Sequence, residues 1–278
     1  MYAKTIIYRI YSVALLAVSA LGFVFNLIYT IPNIDDILLK SFGECSSAVL
    51  LLVRIALVVL SLLSLLFSYV QFSAMFGFAD MVKYEKSNSI YSMKRKSYLL
   101  TPKFYRCFGL VAFVGLAIVS IVSFIILVIS ICIWKFNFIS FLLILLSIVA
   151  VAVSVAITYI EYYAKFKAFG DLYQLHTSEN VSDDFMESYK KNNTNLLRGY
   201  CSFLWVLSII YALATIVILV IYSGEFIALF GVLFGICAIV GALLVTAFNI
   251  VCVAVVGCFF DDLGQMLEHN TLKNNKLK

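Results

Sequence analysis

Proline, charge and histidine are what this sequence has least of. Its two prolines, Pro32 and Pro102, both fall outside the long apolar runs, so every run can continue as a helix without the lost N–H and ring clash that proline imposes. Broken-helix binding sites are therefore not expected. The two histidines, His176 and His269, lie in polar segments, and the chain holds no H-E-x-x-H, G-x-S-x-G or glycine-rich phosphate loop. Hydrolytic metal catalysis, acyl transfer and nucleotide chemistry thus lack their residues. The expectation is a non-enzymatic protein with no catalytic, cofactor or metal site. Asp183-Asp184 and Asp261-Asp262 are adjacent carboxylates, but neighbours on a helix point about 100° apart and form no dyad. The seven cysteines, Cys45, Cys107, Cys132, Cys201, Cys237, Cys252 and Cys258, include no C-x-x-C pair. All but Cys45 sit in or at the edge of apolar runs, where cysteine packs as a small polarizable side chain.

What remains is apolar. Hydrophobic residues make up 64% of the 278, charged residues 13%, and the mean hydropathy is +1.06; soluble domains hold roughly 45–50% apolar residues. Such a chain belongs in a lipid bilayer. The 20 Lys and Arg against 15 Asp and Glu leave a net charge of +5, which loops on an anionic cytoplasmic face account for without a nucleic-acid partner. Lys4 and Arg9 precede a run containing Val18-Ser19-Ala20, which resembles a signal-peptidase site. A retained helix is expected instead, because removal would leave one repeat with a single helix.

That repeat is the main feature of the sequence. Phe78-Ala79-Asp80-Met81 returns as Phe169-Gly170-Asp171-Leu172 and as Phe260-Asp261-Asp262-Leu263, with a step of 91 residues from Asp80 to Asp171 and again from Asp171 to Asp262. Gln174 and Gln265 extend the last two copies, and Asn88, Asn180 and Asn270 follow where a helix would end in a left-handed cap. The expected architecture is all-α: a polytopic membrane bundle of six helices in three hairpin repeats, 1–91, 92–182 and 183–278. Its spans are about 10–29, 48–78, 107–134, 138–168, 200–222 and 226–260, each long enough for a hydrocarbon core that needs ~20 residues. Lys135-Phe136-Asn137 and Ser223-Gly224-Glu225 are the expected tight turns, 183–191 a short surface helix, and 268–278 a loose polar tail.

Lys and Arg crowd residues 79–106, whereas the three loops on the other side contribute only Lys40 and Lys135, so both termini are expected in the cytoplasm. Tyr8, Tyr69, Tyr105, Tyr163, Tyr200 and Trp205 gather near the same interface, where amphipathic rings settle. On that side the sequons Asn180-Val181-Ser182 and Asn192-Asn193-Thr194 would be silent.

Arg9, Arg106 and Arg198 open the odd helices, and hairpin geometry predicts the pairs Arg9 with Asp80, Arg106 with Asp171 and Arg198 with Asp262. Such pairs are either ordinary interfacial bridges, worth ~0–1 kcal/mol where exposed, or a breakable inner gate. Arg54, Ser61, Ser64, Ser68 and Gln71 share one face of the second span. Ser140, Ser147, Ser154 and Glu161 recur every seven residues in the fourth, and Gly231, Gly235, Ala238, Ala242, Thr246 and Asn249 line one side of the sixth. In lipid such stripes are packing seams or the walls of a narrow polar path.

Three two-helix repeats in six spans are similar in layout to the mitochondrial carrier family. The family's repeated P-x-[DE]-x-x-[KR] signature is absent at Tyr29, Trp134 and Tyr222, so the resemblance covers arrangement and carries no residue over. Proton- or ion-coupled transporters bury carboxylates in their spans, and none lies at midplane here. The expected function is a membrane scaffold or accessory subunit that lies in the lipid bilayer and presents cytoplasmic helix ends to a cytoplasmic or membrane protein. The alternative is a passive pore or carrier for a small neutral or lipophilic solute along a pseudo-threefold axis.

Overall fold

A computed structural model describes residues 2–34, 46–86, 97–133, 138–177 and 183–276. Lys40, Cys45, Asn88, the turn Lys135-Phe136-Asn137 and the sequon Asn180-Val181-Ser182 lie outside them. Every element among the described residues is helical, and six helices are long and apolar enough to cross a membrane. This is compatible with a multi-pass membrane protein. The chain divides into two compact units, Met1–Leu100 and Thr101–Lys278.

The first unit is one antiparallel hairpin. Helix α1, Tyr2–Phe25, ends in a π-helical turn, Asn26–Thr30, and packs along α2, Ser47–Lys86. Its polar rungs are Ser19 to Ser68 at 2.5 Å and the Asn26 amide donating to Ser61 at 3.0 Å. Near the end of this unit Tyr98 folds back and donates to Asp80.

The second unit opens with α3, Pro102–Ile133. Thr101 Oγ1 accepts the Phe104 N–H at 3.2 Å, and proline at the first helical position costs nothing because its N–H would have no helical partner. Helix α4, Phe138–Thr158, passes through a π-helical turn, Tyr159–Ala164, into α5, Lys165–Thr177. Both pack antiparallel on α3, with Ser120 and Ser154 at 3.2 Å between them. Helix α6, Asp183–Lys190, follows. The remaining helical stretch, Thr194–Lys276, is broken at Gly231 into α7 (194–230) and α8 (232–276). Contacts of Tyr200 with Phe260, of Cys201 with Gly257 and of Tyr211 with Asn249 make these two a hairpin.

Three expectations need correction. The turn expected at Ser223-Gly224-Glu225 is helical, and the break is at Gly231, whose φ of 75° is open to glycine at little cost. The tail from Glu268 is helical to Lys276, and Asn270 is no cap: its amide donates to the Met266 carbonyl four residues back at 3.0 Å. No glycine or proline follows that could stop the helix. The fourth run is not a uniform α-helix either, because the extra residue of the π turn re-aims Glu161 and Lys165.

Burial is concentrated at one end of every hairpin. Val70, Met75, Phe78, Ala79 and Met81 in the first unit are fully covered, as are Phe166, Phe169, Leu172, Phe259, Phe260 and Leu263 in the second. The apolar middles of the helices are exposed along Leu51, Leu52, Val111, Ile126, Leu146 and Val220, surface that lipid tails would cover. The packed end is called the polar end below.

Candidate functional site

Each aspartate of the repeat is held at the polar end by its helix. Asp80 is 2% exposed, Asp171 1% and Asp262 4%. Burial on this level demands partners, since an uncompensated buried carboxylate is costly. Asp80 receives Arg9 from α1 and the Tyr98 hydroxyl from the segment after α2. Asp171 receives Arg106 Nε from α3 at 2.6 Å and the Asn192 amide at 2.7 Å. Two of the three sites thus share one design, in which an arginine comes from the preceding helix and a neutral donor returns from the following linker.

The third differs. Arg198 reaches Asp261 at 3.3 Å and Glu268 at 3.2 Å, and Gln265 donates to Asp261 at 3.0 Å. Asp262, the partner that spacing pointed to, sits one residue on, buried in the same register as Asp80 and Asp171. The reason is rotational: Asp261 projects toward the N-terminal turn of α7, where Gly264 leaves room for the Arg198 stem.

Aromatic rings floor each site. Tyr8 meets Phe78 at 6.1 Å between centroids, Tyr105 meets Phe169 at 4.8 Å and Tyr200 meets Phe260 at 4.9 Å. The guanidinium of Arg9 lies 5.1 Å from the Phe76 centroid, and that of Arg106 lies 5.5 Å from Phe185. Phe185 belongs to α6, whose Tyr189 donates to the Leu267 carbonyl at 3.4 Å, so this short helix links the second and third sites. Arg106 also donates to Gln174 at 2.6 Å, which gives the repeated glutamine a role.

The polar stripes resolve into rungs between helices and bonds within single helices. Ser61 and Ser68 are buried against α1 through Asn26 and Ser19, while Ser64, on the same stripe, is exposed. Gln71 turns to the Met75 sulfur at 3.4 Å, and Arg54 is half-buried. Ser154 meets Ser120, Ser147 donates to the Ile144 carbonyl at 2.8 Å, Thr246 to Ala242 at 2.8 Å, and Asn249 to Tyr211 at 3.5 Å.

Several residues carry more than their sequence signal suggested. Tyr98 and Asn192 were hidden in polar linkers, and Asn192 stood out only as a sequon. Lys165, 3% exposed, pairs with Glu161 at 3.5 Å beneath the rings of Phe166 and Phe260, and Tyr200 donates to Glu161 at 2.8 Å. This triad ties α4 and α5 to α7 and α8. A lysine closing a long apolar run, four residues before Phe169 of the repeated Phe-x-Asp, was the available signal. Among the described residues no group of three or more His, Cys, Asp or Glu could hold a metal ion. Comparison with protein-family models, with curated proteins and with solved structures returns no match, so the functional reading rests on these residues.

Proposed function

We propose that this chain is a non-enzymatic membrane scaffold or accessory subunit, made of three hairpin repeats with both termini in the cytoplasm, that holds a rigid polar end toward a partner protein. One observation carries this reading. The closely packed, ion-paired part of each hairpin is at the end of its second helix and not in the apolar middle. Helix α2 has 40 residues, which at ~1.5 Å each is about 60 Å against a hydrocarbon layer of ~30 Å. The surplus is the segment that bears Phe78 and Asp80. A protein whose work lay across the membrane would spend its polar residues in the middle.

The repeat reading gains support from the shared register of Phe78, Phe169 and Phe260, all fully covered, and of the three buried aspartates. A passive path for a neutral or lipophilic solute is the competing reading. It requires hydroxyls that face the solute, and Ser61, Ser68 and Ser154 instead face helices of their own hairpins.

Photocrosslinking in native membranes tests the scaffold. A photoreactive residue at exposed Lys83 or Glu187 of the polar end should give discrete protein adducts, and the same residue at exposed Leu146 or Val220 should give lipid adducts alone. Protein adducts confined to the apolar positions would overturn the proposal.

A further inference from the structure

We propose that the groove between the π turn of the second hairpin and the start of α7 binds the phosphate of an anionic membrane lipid. The groove is open on one side and holds about 50 Å³, and its walls include Tyr159, Tyr163 and Lys167 on one side and Lys191, Asn193 and Leu197 on the other. The proposal goes beyond the scaffold reading and does not depend on it.

Charge and position both select this ligand. Lys167 and Lys191 stand on different elements and converge on one space. Among the described residues Lys167 has no ion-pair partner, and its stem is half-buried. The nearby carboxylates are committed elsewhere: Asp171 to Arg106 and Asn192, and Glu161 to Lys165 and Tyr200. Glu187 does hold Lys191 at 2.9 Å, but both side chains are exposed, at 72% and 69%, and such a pair gives way readily to a competing anion. Asn193 Oδ1 accepts the Leu196 N–H at 2.9 Å, and among the described residues the amide of that side chain is free to donate.

A lipid fits better than a free anion because the groove has an apolar continuation. Leu197 is buried at its floor, and Leu145 and Ile148, which share the helical face of Tyr159, are exposed along α4. An acyl chain can lie there while tyrosine rings and lysine heads bracket the phosphate, as at membrane interfaces generally. The groove also sits where the spans Ser140–Thr177 and Thr194–Tyr222 come to their polar ends, the level at which lipid phosphates lie.

The test is native mass spectrometry of the full chain in neutral detergent, titrated with phosphatidylglycerol or phosphatidylcholine. Phosphatidylglycerol should bind more tightly, by about fivefold for each lysine that engages it. Lys167→Gln with Lys191→Gln should abolish that preference while circular dichroism and melting stay unchanged. Glu187→Gln, which releases Lys191, should strengthen it. The control pair Lys83→Gln with Lys103→Gln removes the same charge from exposed sites elsewhere and should leave the preference intact. An unchanged preference in the groove variant, or an equal loss in the control, would overturn the site. Displacement of the lipid by millimolar inorganic phosphate would overturn the assignment to lipid in favour of a free anion.

Discussion

Asp171 and Asp261 lie at matching ends of two hairpins, and their surroundings give them different weights. Asp171 is 1% exposed with Arg106 at 30%, whereas Asp261 and Arg198 are 31% and 45% exposed. Removing one partner of a buried pair costs ~3–5 kcal/mol, and exposed pairs are worth ~0–1. Asp171→Ala should therefore destabilise the purified protein by about 3 kcal/mol in detergent unfolding, and Asp261→Ala by less than about 1. A double-mutant cycle over Arg106 and Asp171 should show coupling of ~1–3 kcal/mol. The buried triad gives a second asymmetry. Glu161→Gln strands the Lys165 ammonium and should cost ~3 kcal/mol, while Lys165→Met, an isosteric apolar change, should cost under ~1.5. Equal losses from the two changes would show that Glu161 is not what makes the buried lysine tolerable. Arg9 with Asp80 and Arg106 with Asp171 were legible because a charge at fixed spacing stands out in so apolar a chain, whereas spacing pointed to Asp262 and Arg198 pairs with Asp261. Tyr98 and Asn192 were not, because they reach their aspartates through linker geometry that no periodicity encodes.

Helix type and the number of membrane-length helices followed from hydrophobic runs, and the helix ends and interruptions did not. A π turn needs no special residue: Tyr159-Ile160-Glu161-Tyr162-Tyr163-Ala164 reads as helix, and only packing against α3 and α7 selects the extra residue. The break in the last hairpin shows the same limit. Ser-Gly-Glu at 223–225 carries the composition of a turn, yet Gly231, set among apolar residues, takes the positive φ. Exchanging each glycine for alanine separates the two positions. Gly231→Ala places a Cβ at φ 75° and should cost ~1–3 kcal/mol. Gly224→Ala, helical and with open space where its Cβ would stand, should be neutral or stabilising by up to ~1 kcal/mol. Gly170 is limited by close approach instead, since a Cβ there would lie 2.9 Å from the Pro102 carbonyl oxygen. Gly170→Ala should loosen the α3 contact and cost ~1–3 kcal/mol in the same unfolding assay.

Ser19, Asn26, Ser61, Ser68, Ser120 and Ser154 serve as rungs within hairpins, and the charged ends are the closely packed part. In the first hairpin Ser68 is closed against Ser19 at 2.5 Å, and in the second Ser154 against Ser120 at 3.2 Å. Seams of this kind stabilise helix pairs by ~0.6 kcal/mol per bond and turn the hydroxyls they use toward the neighbouring helix. Solute flux into liposomes that hold the purified protein tests this most directly, with wild type compared against Ser64→Leu and Ser68→Leu over a panel of ions and neutral solutes. The account predicts no flux above empty vesicles for any of the three, with Ser68→Leu less stable than Ser64→Leu because Ser68 alone of the two is buried in a seam. Saturable flux in wild type that falls when Ser64 or Ser68 is replaced would contradict it and establish a path between the helices.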